Sequence, residues 1–283
     1  MIGGTSLLCN PADRPATLYV LENRWSRENH EIGGTMMPAL VPSRQLLQPF
    51  EDQGYVILPG IIEPAVQAAV RREMEAIVDF LADHLMSQQR VIDPLKGEPF
   101  ETRLYRLFQN HLDLAPKNLR FYLHRPGLYG LLFHALLLDI VEQLLGPEIR
   151  LYPNYSARPK LPEWAGTQVL WHQDAGYTSD DAGVAGLRMV NVWTPLVKAT
   201  VANGCMQFIP GTHKLGAVRH EQGEHYLQIA AEFLEPRLSQ AVNLDGYAPL
   251  HAARQACGSR QSHHVSLSIY RFRDGVPRRL TSR

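Results

Sequence analysis

Trp171-His172-Gln173-Asp174-Ala175-Gly176-Tyr177 places an imidazole and a carboxylate two residues apart. In an extended strand such a pair leaves the same face, so His172 and Asp174 can grip one ion while Gln173 points the other way. One imidazole and one carboxylate, with positions left open for substrate, suit the facial Fe(II) sites that a second His completes. The same spacing recurs at His111 and Asp113, within Gln109-Asn110-His111-Leu112-Asp113-Leu114. That stretch runs into Ala115-Pro116 and reads as a helix end or loop, where residues two apart do not share a face and a solvated surface is the plainer meaning. Taken alone, His172 and Asp174 also fit a buried His bonded to its neighbour. The surrounding chain has to decide.

Working outward, the texture after Pro147 is of short runs separated by turn residues: 149–152, 168–172, 189–193, 205–209 and 265–272. Asn203-Gly204 signals a tight hairpin and Pro210-Gly211 ends the run that follows, which together predict a β-meander beside the His172 strand. Within it Trp193 reads first as core and His213 as a turn residue bonding backbone. Upstream, residues 50–60 predict a helix end closed by Gly54, then a short strand over 55–58 stopped by Pro59-Gly60. Val66, Val70, Met74, Ile77, Val78, Leu81 and Leu85 follow helical spacing, with Pro64 suited to the first turn. A second helix is expected from about Pro126, broken near Gly130 and continuing from Leu131 to Leu145, with Gly146-Pro147 as its stop. Residues 1–40 show no sustained period and read as a loosely ordered extension, with a second possible start at Met36-Met37. Residues 41–283 are expected to form one domain, mainly β with flanking helices, because helices followed by irregularly spaced strands argue against alternating βαβ units.

Composition narrows the function. The chain has 283 residues, enough for one large domain with a sizeable core. Its 28 basic and 28 acidic side chains cancel, which removes the electrostatic footprint of a nucleic-acid binder. The greasiest stretch, 128–146, is interrupted by His134, Asp139, Glu142 and Gln143 and reads as a core helix, not a membrane span. Cys9, Cys205 and Cys257 are too few and scattered for a disulfide framework or a zinc site. Ser6-Leu7-Leu8-Cys9 lacks the basic and apolar regions of an export signal, so a reducing cytoplasm is the expected location. No nucleotide-binding glycine motif appears.

The ordered set of segments resembles the phytanoyl-CoA dioxygenase family of Fe(II)- and 2-oxoglutarate-dependent oxygenases. The resemblance runs through residues 50–60, Leu151-Tyr152-Pro153-Asn154-Tyr155-Ser156-Ala157-Arg158-Pro159-Lys160, 171–177, 190–196 and 203–214, covering about residues 40–245. It implies a double-stranded β-helix, the jelly-roll or cupin-like core. It implies His172 and Asp174 as iron ligands, with Asn154 and Trp193 lining the 2-oxoglutarate pocket. It implies 2-oxoglutarate, O2 and a small-molecule substrate as partners. The reaction would couple decarboxylation of 2-oxoglutarate to succinate and CO2 with attack on a substrate C–H bond. A carboxylate at position 174 favours hydroxylation over halogenation, since halogenases of this kind leave that coordination position to chloride.

The C-terminal part departs from the family pattern. Members carry a second metal His and, about 11 residues later, an Arg that clamps the far carboxylate of 2-oxoglutarate. Register from Val265 puts Gln255 at the His and Ser266 at the Arg. His251 is the first candidate for the replacement ligand, ahead of His263 and His264, which read as solvated turn residues, and Arg271 is the candidate clamp. Residues 244–260 lack strand alternation. The alternatives are therefore a catalytically impaired jelly-roll homologue that binds a small ligand, or a protein in which His172 and Asp174 are merely a buried pair.

Overall fold

The computed structural model describes residues 16–17, 43–151, 155–162, 164, 166, 169–174, 188–223, 227–244 and 262–271. Helices come first in this part of the chain: α1 (Ser43–Gln53), α2 (Pro64–Ser87), α3 (Phe100–Phe108), α4 (Pro126–Leu132) and α5 (Ala135–Leu145). The helical stripe expected for α2 is the buried one, with Val70, Met74, Ile77, Val78, Leu81 and Leu85 turned inward and Pro64 in the first turn, where its missing N–H costs no hydrogen bond. The periodicity of α3 was not read from the sequence, yet Phe100, Leu104, Leu107 and Phe108 make a buried stripe. The break in the second long helix falls later than Gly130. It lies at Phe133 and His134, where His134 takes an extended conformation (φ −62°, ψ 124°) as the cap of α5. Its ring there pairs with Glu63, the cap of α2, so one contact fixes two helix starts. By length and hydropathy Pro126–Leu145 would pass for a membrane span. It folds as α4 against α2 and α5 against α1 and the sheet, with Leu128, Leu131, Leu137, Ile140 and Val141 buried.

The strands are β1 (Ala16–Thr17), β2 (Arg150–Leu151), β3 (Ser156–Lys160), β4 (Arg188–Pro195), β5 (Gln207–Phe208), β6 (His220–Gln222), β7 (Leu227–Ile229), β8 (Val242–Asn243) and β9 (Ser262–Arg271). β4 and β9 run antiparallel from Arg188↔Arg271 to Pro195↔His264. β2 and β3 both pair with the other edge of β9, and β1 lies parallel on β4, so two residues of the N-terminal extension join this five-stranded sheet. β5 with β8 and β6 with β7 form two separate ribbons.

Three local expectations are corrected. The run at 55–58 is extended with a single bridge at Ile57, and Tyr55, Val56 and Leu58 are satisfied by burial instead of ladder pairing. The predicted meander does not form, because Asn203-Gly204 closes no hairpin. Thr200 and Asn203 cap each other around a 3-10 turn, Gly204 adopts φ 79°, and β5 is delivered to β8 instead of β4. Within 168–172 the described residues 169–172 make no strand, although the Trp171 carbonyl accepts the Ile229 N–H at 2.8 Å.

The sheet separates two cores. Val190, Val192 and Ala157 face the main core with the helices. Trp193 belongs to a second cluster with Tyr55, Ala199, Cys205 and Leu244, where Tyr55 stacks on Phe208 at 5.0 Å between ring centres. The turn at 211–213 fastens α1 to this side: Gly211 N–H donates to the Gln53 carbonyl and His213 Nε2–H to the Glu51 carbonyl, both at 2.9 Å. Gly54, at φ 85°, ends α1 as expected, and a Cβ there would lie 2.6 Å from His213 Cγ. Gly54→Ala combines left-handed backbone strain of about 1–2 kcal/mol with overpacking of similar size. A loss of roughly 2–4 kcal/mol in urea unfolding is the expected result.

Candidate functional site

The site is built on the face of the sheet away from the helices. Side chains alternate along β4, so Asn191 and Trp193 share the side opposite Val190 and Val192. The register sets Trp193 against Ser266 and Ser266 against Ser156, which puts Ser156, Arg158 and Lys160 of β3 on that same side.

His172 and Asp174 converge here without a regular strand beneath them: His172 Nε2 lies 3.3 Å from Asp174 Oδ1. His172 Nδ1 donates to the Leu170 carbonyl at 2.7 Å, which fixes the tautomer and leaves Nε2 as the nitrogen available to a metal. Asp174 Oδ2 accepts a hydrogen bond from Asn191 Nδ2, so the carboxylate is oriented with Oδ1 toward the imidazole. The pair is open on one side, with the Asp174 side chain 51% exposed against 24% for His172. Burial alone would push the His172 pKa down. The hydrogen bond and charge of Asp174, with the Leu170 carbonyl, outweigh burial and the opposing charge of Arg158, and the imidazole titrates above the ordinary His value. A proton held between Nε2 and Oδ1 is thereby stabilised.

Lys160 adds a second cation beside Arg158. Burial, and then the positive charge of Arg158, push its pKa below the ordinary Lys value against the influence of Cys205. Arg158, whose charge reaches His172, and Lys160 beside it offer a seat to an anionic ligand on this face.

Asn191, Arg158 and Lys160 were missed by sequence reasoning. The available signal was polar residues alternating with apolar ones that face the main core: Asn191 between Val190 and Val192, and Arg158 and Lys160 around Ala157 and Pro159. Of the expected site residues, His172, Asp174 and Trp193 lie on this face, Trp193 as a packed core residue. Asn154, His251 and Gln255 fall outside the described residues. Arg271 ends β9 opposite Arg188, remote in register from Ser266. His263 and His264 lie in β9, paired with Pro159 and Arg158, instead of in a turn. His111 and Asp113 stand at a 3-10 helix, Leu112–Leu114, with Asp113 exposed. Among the described residues, no three His, Cys, Asp or Glu side chains come together as a metal cluster.

The family model of phytanoyl-CoA dioxygenase (PhyH) matches residues 50–257, which takes in α2 to α5, the His172–Asp174 pair and β4. The chain belongs to this family. It is 24% identical over 216 residues to ectoine dioxygenase of Sphingopyxis alaskensis, an alignment covering 76% of this chain and 61% of that protein. It is also 24% identical over 202 residues to phytanoyl-CoA dioxygenase domain-containing protein 1 of Danio rerio, covering 62% of this chain and 67% of the relative. The chain thus spans about 61% of the length of the first of these relatives.

Proposed function

We propose that this protein is an Fe(II)- and 2-oxoglutarate-dependent dioxygenase, with a jelly-roll core, that hydroxylates a small organic substrate. The observation that carries the reading is the His172–Asp174 pair, with tautomer and carboxylate orientation both fixed by neighbouring groups. Hard carboxylate and neutral imidazole donors suit Fe(II), and the fixed Nε2 and Oδ1 atoms fit such an ion. Bound iron would supply the oxidation of a C–H bond coupled to decarboxylation of 2-oxoglutarate. His172 and Asp174 hold it, His251 is the proposed third ligand, and Asn191 keeps Asp174 in place. Asn154 and Trp193 wall the cosubstrate pocket. Arg158 and Lys160, on the same face, pair with the dicarboxylate, a task for which Arg271 was the sequence candidate.

Anaerobic addition of Fe(II) and then 2-oxoglutarate tests this through the visible charge-transfer band of the ternary complex and, on admitting O2, through succinate. Lys160→Met should weaken 2-oxoglutarate binding, because a charge-assisted hydrogen bond is worth about 1.5–3 kcal/mol, or roughly 10- to 100-fold in affinity. Iron binding without a band would instead favour the ligand-binding homologue. No iron binding would sink both.

A further inference from the structure

The residue between the two ligands is gripped from the far side. Gln173 donates its backbone N–H to His220 Nε2 at 3.0 Å and its side-chain Nε2–H to the Gly216 carbonyl at 2.9 Å. Its Oε1 accepts the Val218 N–H at 2.8 Å. His220 Nδ1 in turn lies 2.9 Å from the Val218 carbonyl. A backbone N–H only donates and a carbonyl only accepts, so His220 is neutral, with its proton on Nδ1 and its lone pair on Nε2 facing Gln173. β6, which carries His220, is paired with β7, and β7 holds the Trp171 carbonyl through Ile229 N–H. Segment 171–174 therefore hangs on the paired strands β6 and β7 and on Gly216 and Val218, at points before and within the ligand pair.

This matters because residues 172–174 have no ladder of their own. Two ligands separated by one residue keep a common side only while the backbone dihedrals of that residue are fixed, and a free residue would have to be ordered when metal binds. We infer that Gln173 and His220 are positioning residues that hold His172 and Asp174 convergent before metal arrives. The inference rests on the metal reading of that pair. Neither residue touches the pair's ligand atoms; they act through the backbone between them. Groups that orient ligands typically contribute 10- to 100-fold to metal affinity.

The test uses the full chain, metal-free, with hydrogen exchange over 171–174, thermal unfolding and anaerobic titration with Co(II) alone. Wild type should protect the Gln173 amide and bind Co(II). In His220→Asn, which is too short to reach Gln173 N–H, the protection should disappear and Co(II) affinity should fall about 10- to 100-fold with little change in Tm. His220→Gln, which places an amide oxygen near the position of Nε2, should restore most of both. Unchanged exchange in His220→Asn, or faster exchange with undiminished Co(II) affinity, would overturn the inference while leaving the metal pair intact. Absence of Co(II) binding in wild type would instead remove the metal reading, and this inference with it. Should His220→Asn unfold, Gln173→Ala makes the same separation, since it deletes only the two side-chain bonds to Gly216 and Val218.

Discussion

Asp174→Ala should abolish tight Fe(II) binding and leave the fold standing. The side chain is half exposed and bonded to His172 and Asn191, so its removal costs packing little. Asn191, itself buried, loses that acceptor, at about 1–2 kcal/mol of stability. On the proposed reading iron would lose a carboxylate ligand, and since groups that merely orient a ligand contribute 10- to 100-fold, the expected loss is at least about 100-fold in anaerobic titration calorimetry. Asp113→Ala should leave the isotherm unchanged, because Asp113 is exposed on a separate 3-10 helix. Equal binding by wild type and Asp174→Ala would end the metal reading.

The same pair gives a pH dependence with a definite sign. His172 titrates above the ordinary His value in the metal-free state, so its ion pair stabilises the apo-protein fully below the unfolded His pKa and is lost as pH rises through the raised one. Metal needs Nε2 unprotonated. Affinity should therefore fall as pH drops through that raised value, and each bound ion should displace a proton. In Asp174→Ala the hydrogen bond and charge that raise the value are removed, so His172 should titrate lower than in wild type.

Legibility in the sequence followed the range of the interactions. α2 was readable because its buried stripe repeats over many turns, and the end of α1 because Gly54 needs a positive φ. The break after α4 was misplaced at Gly130 because the groups that set it, His134 and Glu63, lie far apart in the chain. The Asn203-Gly204 hairpin failed for a local reason of another kind, since the Asn203 side chain is engaged in capping. At the site, the convergence of His172 and Asp174 was anticipated through strand alternation, yet it is achieved in an irregular segment clamped through Gln173. Alternation sets Asn191, Arg158 and Lys160 apart from their core-facing neighbours, but only register shows that their strand faces meet, and single-strand alternation cannot supply register.

His251→Ala should abolish succinate formation if the third ligand is His251. Among the residues whose side chains the structure describes, no third His, Cys, Asp or Glu joins His172 and Asp174, and the side chains of His251 and of β9 lie outside that set. At the position where the family pattern sets an imidazole, Gln255 would offer a neutral amide oxygen, a poorer donor to Fe(II). A two-ligand site would hold iron loosely and turn over slowly, and the double change Gln255→His with Ser266→Arg should then raise turnover. Position 266 is well placed for the second change, because Ser266 stands between Trp193 and Ser156 on the register that defines the site face. If wild type makes succinate at full rate and His251→Ala is silent, His264 is the next residue to replace, since it pairs with Arg158, whose charge acts on His172. Loss of succinate in His264→Ala but not in His263→Ala, its neighbour paired with Pro159, would then place the third ligand on β9.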